Sequence, residues 1–305
     1  MTRHCCAALA LFVVATATLV AAPAAEAWVI FSDDWETGYW NALDHKRASG
    51  GSDSRGVPWA ISQMQTNSGG LAVSTLENGA SPRKGNYAMR FTWFRDSFHP
   101  SDSNNRRKAH LFSDWEYRRN TDRWYGFSMY LPSATNGMAD DSEWELLVQW
   151  QGRRNVGANE MSRVPPAAIL HKDNRLVFKW YYDTQWISTP GSQILGGQVE
   201  LGPADKDVWI DFLVRIKWDP NGTGKIEVNR KNVGQGGWVR YLQRNNARIG
   251  YNDESDPQLG IGIYKYDAEK RYNEAGNTST GSDYYRRQIY FDEVTIATTV
   301  NEAKP

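Results

Sequence analysis

The stretch "LLVQWQG" at residues 146–152 combines the apolar residues of a buried strand with two glutamines placed two positions apart. Successive side chains of a β-strand point to opposite faces. The spacing therefore predicts two faces. The core face consists of Leu146, Val148 and Trp150, and the polar face consists of Leu147, Gln149 and Gln151. Any half-buried antiparallel strand has a polar face. Other parts of the chain must decide whether the glutamines line a site.

Alternating apolar and polar runs of this kind recur along the chain, whereas helical periodicity is scarce. Examples are "NYAMRFTWF" at 86–94, "WIDFLVRIKW" at 209–218 and "RQIYFDEVTIA" at 287–297. Clusters of Gly, Asn, Asp and Pro separate them, and Asn221-Gly222 indicates a hairpin turn. Many alternating strands without intervening helices predict an all-β fold, namely an antiparallel β-sandwich of the concanavalin-like jelly-roll type with a concave groove.

The N-terminal segment predicts export. Arg3 precedes an apolar, alanine-rich run, and "AEA" ends at Ala27, which together indicate a signal peptide over residues 1–27. Both cysteines lie inside this segment, at positions 5 and 6, so the remaining chain has no disulfide. We expect residues 28–305 to form one secreted domain, with no membrane anchor.

The charge balance disfavours a nucleic-acid partner. The chain has 35 basic and 35 acidic residues, whereas proteins that bind polyphosphates usually carry a basic excess. Its 14 Trp and 15 Tyr residues suit sugar surfaces as well as cores, because their rings combine a flat apolar face with a polar tip. We expect a monomer that contacts neither nucleic acid nor membrane.

Two further runs place polar side chains on one strand face, as the first one does. In "KAHLF", Lys108 and His110 lie opposite the apolar Ala109 and Leu111. In "LGIGIYKY" at 259–266, two tyrosines share a face with two glycines, which would leave room for a ligand near the backbone. If the strands belong to one concave sheet, these residues meet in one groove: Lys108, His110, Gln149, Gln151, Tyr264 and Tyr266.

At this point the chain resembles the secreted polysaccharide lyases that include glucuronan lyase and heparin lyase I, and more loosely the jelly-roll alginate lyases. The resemblance covers most of residues 28–305. Its motifs are "DWETG" at 34–38, "KGNYAMRF" at 84–91, "KAHL" at 108–111, "RWYGFSMYLP" at 123–132, "LLVQWQG" at 146–152, "PPAAI" at 165–169, "WIDFLVRIKW" at 209–218, "LGIGIYKY" at 259–266 and "IYFDEV" at 289–294. Their order and number, more than any single motif, make the resemblance specific.

The family's cleft typically carries an Arg-x-Glu strand, a Gln-x-His strand and a Lys-x-Gly-x-Tyr strand. Gln149 and Tyr264 match this pattern, and Lys108 keeps the charge of the arginine. The chain departs from the pattern in three places, where the glutamate, the histidine and the lysine are replaced by His110, Gln151 and Gly260. These departures are compatible with a changed substrate, a changed base or a protein that binds without catalysis.

The resemblance implies β-elimination on a uronic-acid polysaccharide such as glucuronan, alginate or a heparin-like chain in a concave substrate groove. Such an enzyme removes the C5 proton next to the carboxylate, so it needs donors or cations that stabilise the developing charge. Gln149, Gln151 and Lys108 are candidates for that role. Tyr264 is the acid by resemblance, and either Tyr264 or His110 is the base.

Two more residues are candidates for binding the anionic polymer. Tyr266 follows Tyr264 on the same strand face, and Arg153 begins the basic segment "RRN" at 153–155. Paired arginines are usually just solvated, so this basic track is an expectation about position only.

We expect no catalytic cofactor, because the histidines show no metal-binding spacing. A structural Ca²⁺ is the metal that the resemblance suggests, because related sandwiches bring an early Glu and a late Asp together. The corresponding ligands here are Glu36, the carbonyl of Gly85 and Asp292, and oxygen ligands suit Ca²⁺.

Two alternatives to a lyase remain open from the sequence. A non-catalytic secreted carbohydrate-binding protein could use the same groove and aromatic residues. A retaining β-sandwich glycoside hydrolase would need two carboxylates about 5 Å apart in the cleft. Glu143 and Glu145 are the candidates, since alternation places them on the glutamine face.

Overall fold

The computed structural model describes twelve segments of the chain: residues 29–36, 60–63, 71–76, 80–94, 107–113, 122–133, 137–138, 140–141, 143–152, 154–252, 257–265 and 286–305. The predicted signal peptide lies outside these residues. Within them, no helix is long and apolar enough to cross a membrane.

Fifteen strands account for most of the described chain. They are β1 (Val29–Asp33), β2 (Ala60–Gln63), β3 (Leu71–Ser74), β4 (Ala88–Phe94), β5 (Arg107–Phe112), β6 (Asp122–Tyr130), β7 (Glu145–Gln151), β8 (Ala167–Lys172), β9 (Arg175–Asp183), β10 (Ile194–Pro203), β11 (Trp209–Lys217), β12 (Asp219–Asn232), β13 (Gln235–Tyr251), β14 (Gln258–Lys265) and β15 (Arg286–Ala297). A short 3-10 helix spans Val156–Ala158, and helix α1 spans Val300–Ala303.

The strands form two layers joined at one end. The order β12-β11-β6-β15-β4-β3, with β1 beside β15, makes the back sheet. The order β2-β5-β14-β7-β8-β9, with β10 beside β9, makes the cleft sheet. Strand β13 joins the two, because it pairs antiparallel with β12 and its last residues pair parallel with β9. The predicted all-β sandwich is confirmed.

Apolar side chains from both sheets form one core between the layers. The back sheet contributes Phe127 and Phe212, which stack with ring centroids 5.3 Å apart. The rings of Tyr125 on β6 and Trp150 on β7 meet edge to face across the interface, also at 5.3 Å. Burial of such large rings supplies most of the energy that holds the two sheets together.

A β-bulge interrupts the alternation of β7. Leu146 pairs with Leu170 on β8 and Val148 with Ile169, so Leu147 is an extra residue on β7. Leu147 and Val148 both face the core, whereas Leu146 packs on the cleft side. The sequence prediction was therefore wrong for Leu146 and Leu147, which exchange faces, and correct for Val148 and Trp150.

The bulge also turns Glu145 inward, where it joins a buried charge cluster between the sheets. Arg287 of β15 donates to both carboxylate oxygens, from Nε at 2.6 Å and from Nη2 at 2.7 Å. Lys265 Nζ of β14 lies 3.2 Å from Glu145 Oε1 and 2.8 Å from Asp141 Oδ2. Burial alone would raise the pKa of Glu145, but the charges of Arg287 and Lys265 hold that pKa well below its ordinary value.

A histidine completes the cluster on the other side of Glu145. His171 Nδ1 lies 2.7 Å from Glu145 Oε2, and Lys206 Nζ lies 3.3 Å from His171 Nε2. Burial lowers the pKa of His171. Because an ammonium can only donate, the neutral ring accepts from Lys206 at Nε2 and donates to Glu145 from Nδ1. The carboxylate thus has three side-chain donors.

We expect Glu145→Gln to lower the free energy of unfolding by about 3–5 kcal/mol, because it leaves Arg287 and Lys265 buried without their shared carboxylate. The matched control is Asp122→Asn, since Asp122 is also held by an arginine, Arg215, but both side chains are 32% exposed. For that pair we expect about 1 kcal/mol or less. Denaturant unfolding of both variants measures the difference, and equal losses would contradict the account of the cluster.

Candidate active site

Strands β5, β14 and β7 are neighbours in the cleft sheet, and their register aligns the residues of the candidate site. Tyr264 lies opposite Lys108 on β5, and Gly260 lies between Phe112 on β5 and Gln149 on β7. Side chains at these positions project to the same face. The structure thus brings together Lys108, Gln149 and Tyr264, three of the six residues that the sequence predicted to share one groove.

A cavity of about 370 Å³ opens on this face. Lys108, Gln149, Gln151 and Tyr264 line its strand side. The Lys108 ammonium lies 4.4 Å from the centroid of the Tyr264 ring. An ammonium at this distance makes a cation–π contact with the ring.

The loop after β7 forms the opposite wall and adds two cations, Arg154 and Arg163. Arg163 is fixed by Glu160, whose carboxylate receives its Nε at 3.0 Å and its Nη2 at 2.8 Å. The guanidinium also stacks on the Tyr251 ring at 4.6 Å. These buried partners fix the position of Arg163, and the Glu160 carboxylate offsets most of its charge.

The sequence reasoning named neither arginine individually as a site residue. Arg154 falls within the "RRN" segment that predicted a basic track. Arg163 stands alone in a polar loop, and its only local signal is the spacing of three residues from Glu160. Arg153 and Tyr266 lie outside the described residues, so their predicted roles in substrate binding stay predictions.

His110 lies beneath the cavity floor rather than in the cavity wall. Its side chain is fully buried, with ring centroids 5.9 Å from Tyr264 and 5.7 Å from Phe112. Burial lowers the pKa of His110 to about 3, and the charge of Lys108 acts in the same direction. The ring is therefore neutral near pH 7, and it is not among the residues that line the cavity.

His110 holds the amide of Gln149. Gln149 Nε2 lies 3.3 Å from His110 Nδ1, and the Gln149 side chain is only 2% exposed. Among the described residues, no hydrogen-bond partner reaches Gln149 Oε1. A buried amide oxygen without a partner is costly in a protein interior, so this end of Gln149 is a place where a ligand group can bind.

The two glycines of β14 do not leave the open space that the sequence suggested. A side chain at Gly260 would meet the Phe112 ring at 2.5 Å, and one at Gly262 would meet the Ala109 carbonyl oxygen at 2.0 Å. Gly262 has φ +134°, a conformation that other residues rarely adopt. The glycines make room for the rings of Phe112 and His110, not for a ligand.

Gln151 lies at the edge of the cavity. Its Nε2 donates to the Gly152 carbonyl at 3.0 Å, and the side chain is partly exposed. The amide nitrogen is thus engaged by the backbone of the next residue.

The two carboxylates of the predicted calcium site accept hydrogen bonds from backbone amides. Glu36 accepts from the backbone of Asn86 at 2.8 Å and of Tyr87 at 3.0 Å. Asp292 accepts from the backbone of Arg83 at 2.9 Å. Within the described residues, no group of three His, Cys, Asp or Glu side chains could hold a metal ion. The predicted site combines only two carboxylates with the Gly85 carbonyl, and the Glu36 carboxylate does lie against Gly85, so the Ca²⁺ site stays a prediction.

The acidic pair of a retaining hydrolase is not present at Glu143 and Glu145. The bulge points Glu145 into the sandwich, toward Arg287, and its side chain is 0% exposed. Glu143 is 5% exposed and follows Asp141, whose carboxylate caps its backbone amide at 3.0 Å. The prediction that alternation places Glu145 on the glutamine face was wrong.

His110 should make folding sensitive to acid. Because its pKa is about 3 in the folded protein and 6.5 for an unperturbed histidine, the unfolded chain binds the proton first as pH falls. We expect its contribution to the free energy of unfolding to decline as pH falls from about 6.5 toward 3. In the variant His110→Gln, the free energy of unfolding should decline less over this pH range. Urea unfolding at several pH values tests this, and an unchanged pH dependence in the variant would contradict it.

Solved structures similar to the chain include two polysaccharide lyases. The endo-β-1,4-glucuronan lyase from the fungus Trichoderma reesei has 17% identity and a TM-score of 0.62, over 79% of this chain and 91% of that chain. The marine alginate lyase from Aplysia kurodai has 14% identity and a TM-score of 0.46, over 74% and 86%. At 17% identity, the likeness to the glucuronan lyase shows the fold alone.

A search of curated protein sequences finds no match to the chain. The family model described as polysaccharide lyase matches residues 58–295, which is more than half of the chain and includes β5, β7 and β14. The chain therefore belongs to the polysaccharide lyase family, and the protein is a polysaccharide lyase.

Proposed function

We propose that the enzyme cleaves a uronic-acid polysaccharide by β-elimination, with glucuronan as the first substrate to test and alginate and heparin-like chains as the others. The observation that carries this proposal is the convergence of Gln149, Tyr264 and Lys108 with two loop arginines around one cavity. Lys108 and Arg154 give this cavity positive charge, which suits a sugar that carries a carboxylate. Export by residues 1–27 would bring the enzyme to such polymers outside the cell.

The first requirement of the reaction is to stabilise charge on the substrate carboxylate. Removal of the neighbouring C5 proton spreads a second negative charge into that group. Arg154 can pair with it, and the Gln149 amide can donate to it. Fixed donors in a partly closed cavity are worth more than mobile ones in water, because they need not reorganise during the reaction.

Tyr264 is the group that moves the proton. In its phenolate form, the oxygen takes the proton from C5, and the C5 electron pair forms the double bond to C4. The bond from C4 to the glycosidic oxygen then breaks, and that oxygen takes the proton from the Tyr264 hydroxyl. The phenolate is restored, so no other acid is consumed.

His110 acts as a positioning residue for Gln149 rather than as the base, because it is buried and neutral. A half-turn of the amide exchanges its oxygen and nitrogen. If the neutral ring carries its proton on Nδ1, it donates to Gln149 Oε1, and Gln149 Nε2 is left to donate to the carboxylate. Substrate binding would select this tautomer.

One observation favours a second candidate, a carbohydrate-binding protein without catalysis. Gln151 stands where the family pattern has a histidine, and its amide nitrogen donates a hydrogen bond to the Gly152 carbonyl. The two candidates differ in whether an unsaturated product forms.

The direct test is to follow the ultraviolet absorbance of the unsaturated uronate during incubation with glucuronan, alginate, heparin-like and pectic polymers. We expect absorbance to rise with at least one of them, and glucuronan to be the best substrate. Binding to these polymers without any rise in absorbance would favour the non-catalytic candidate instead.

Two substitutions test the residue roles on the best substrate. Tyr264→Phe should abolish turnover and leave substrate binding intact, because only the hydroxyl is lost. Gln149→Ala should lower kcat by about a hundredfold through loss of one donor at the developing charge. Unchanged kinetics in either variant would remove that residue from the mechanism, provided that thermal unfolding shows the variant is folded.

A further inference from the structure

A second group of cations and a ring lies on the cleft sheet, outside the cavity described above. Lys179 Nζ lies 4.1 Å from the centroid of the Trp144 ring, and Lys172 Nζ lies 5.5 Å from the same centroid. Trp144 is partly exposed, as are both lysines. The three residues, here called the Trp144 cluster, come from three different segments: the residue before β7, the end of β8 and the middle of β9.

The strand register places this cluster in line with the reaction site. Gln149 on β7 pairs with Ala168 on β8, which pairs with Lys179 on β9. Neighbouring strands are about 4.8 Å apart, so the backbones of Gln149 and Lys179 are separated by roughly 10 Å. This separation is larger than one sugar ring, so a ring held at Gln149 and Tyr264 would not also fill the Trp144 cluster.

A continuous apolar floor connects the two places. Leu146, Ala168 and Leu170 form a small buried cluster on the cleft side, and both Trp144 and Tyr264 pack against it. The bulge of β7 creates this floor, because it turns Leu146 toward the cleft. Trp144 and Tyr264 therefore stand on one surface, as two successive contacts for an extended chain.

The chemistry of the Trp144 cluster fits an acidic sugar. An aromatic face suits the apolar C–H face of a pyranose, and ammonium groups suit a carboxylate. A neutral sugar would gain the aromatic contact but not the electrostatic one.

We propose that the Trp144 cluster binds a second acidic sugar of the same polysaccharide chain, at a position removed from the ring that is cleaved. This inference rests on the proposed function. It implies that the enzyme prefers chains in which acids recur along the polymer, and that oligosaccharides long enough to reach both places bind more tightly than short ones.

The test compares uronate oligosaccharides of two lengths, a disaccharide and a hexasaccharide of the best substrate. Titration calorimetry on the Tyr264→Phe background measures binding without turnover. The double substitution Lys172→Gln and Lys179→Gln should weaken hexasaccharide binding at least tenfold, about 1.4 kcal/mol, and leave disaccharide binding unchanged. Raised salt should reduce the difference between the two proteins, since it screens exposed charges.

The matched control removes two lysines from the back sheet, by Lys225→Gln and Lys231→Gln on β12. It changes net charge equally and should leave binding of both oligosaccharides unchanged. The charge-conserving double substitution Lys172→Arg and Lys179→Arg should retain most of the hexasaccharide affinity. This result would show that the weaker binding of the glutamine variant comes from the lost positive charges and not from misfolding.

Three outcomes would overturn the inference. If the cluster and control variants bind the hexasaccharide equally well, the Trp144 cluster is not a sugar site, while the proposed function stands on wild-type cleavage. If the cluster variant loses disaccharide and hexasaccharide binding alike, the lysines act on the reaction site itself. If the wild type neither binds nor cleaves any uronate polymer, the proposed function fails first, and this inference fails with it.

Discussion

The ion pair between Glu145 and Arg287 is the constraint on which the rest of this structure depends. It joins the first residue of β7 in the cleft sheet to β15 in the back sheet, with both side chains fully buried. A carboxylate with 0% exposure is tolerated there only because Arg287, Lys265 and His171 together satisfy it. To reach these partners, the side chain must point inward.

That inward direction conflicts with strict alternation, because Gln149 must point to the cleft four residues later. Positions 145 and 149 would share a face in a regular strand. The extra residue Leu147 resolves this conflict, because one inserted residue reverses the faces to which the preceding side chains of β7 point. The bulge therefore serves both ends of β7. It allows a buried charge that links the sheets, and it turns Leu146 toward the cleft as part of the floor under the substrate.

Strand alternation alone was enough to predict the two-layer fold and the convergence of Lys108, Gln149 and Tyr264. The pairing of β14 with β5 is regular from Gly260 to Lys265, and Gln149 lies beyond the bulge of β7, so parity gives the right direction for all three side chains. Strand β13 was missed because most of its side chains are exposed on both faces and give no apolar period. Strand β10 was missed because its two adjacent glycines, Gly196 and Gly197, pack against the Trp180 ring instead of adding side chains to a pattern.

The errors at the site have a common physical origin in contacts distant in sequence. Nothing near Leu147 marks a bulge, because its cause is the pairing of Glu145 with Arg287, which is 142 positions further along the chain. His110 could not be recognised as neutral from its neighbours in the chain, since its low pKa comes from burial under Tyr264 and Phe112. Arg163 depends on a loop whose course is set by Glu160 and Tyr251.

The central claim is that the bond breaks by elimination at a cavity built around Gln149 and Tyr264. Mass spectrometry of the products formed in water enriched with heavy oxygen tests it most directly, because elimination takes no oxygen from the solvent and hydrolysis takes one atom per cleavage. The account predicts products without the heavy isotope, one of them lighter by a water molecule than its hydrolytic counterpart. Products that carry solvent oxygen at the new reducing end, with no unsaturated partner, would contradict it.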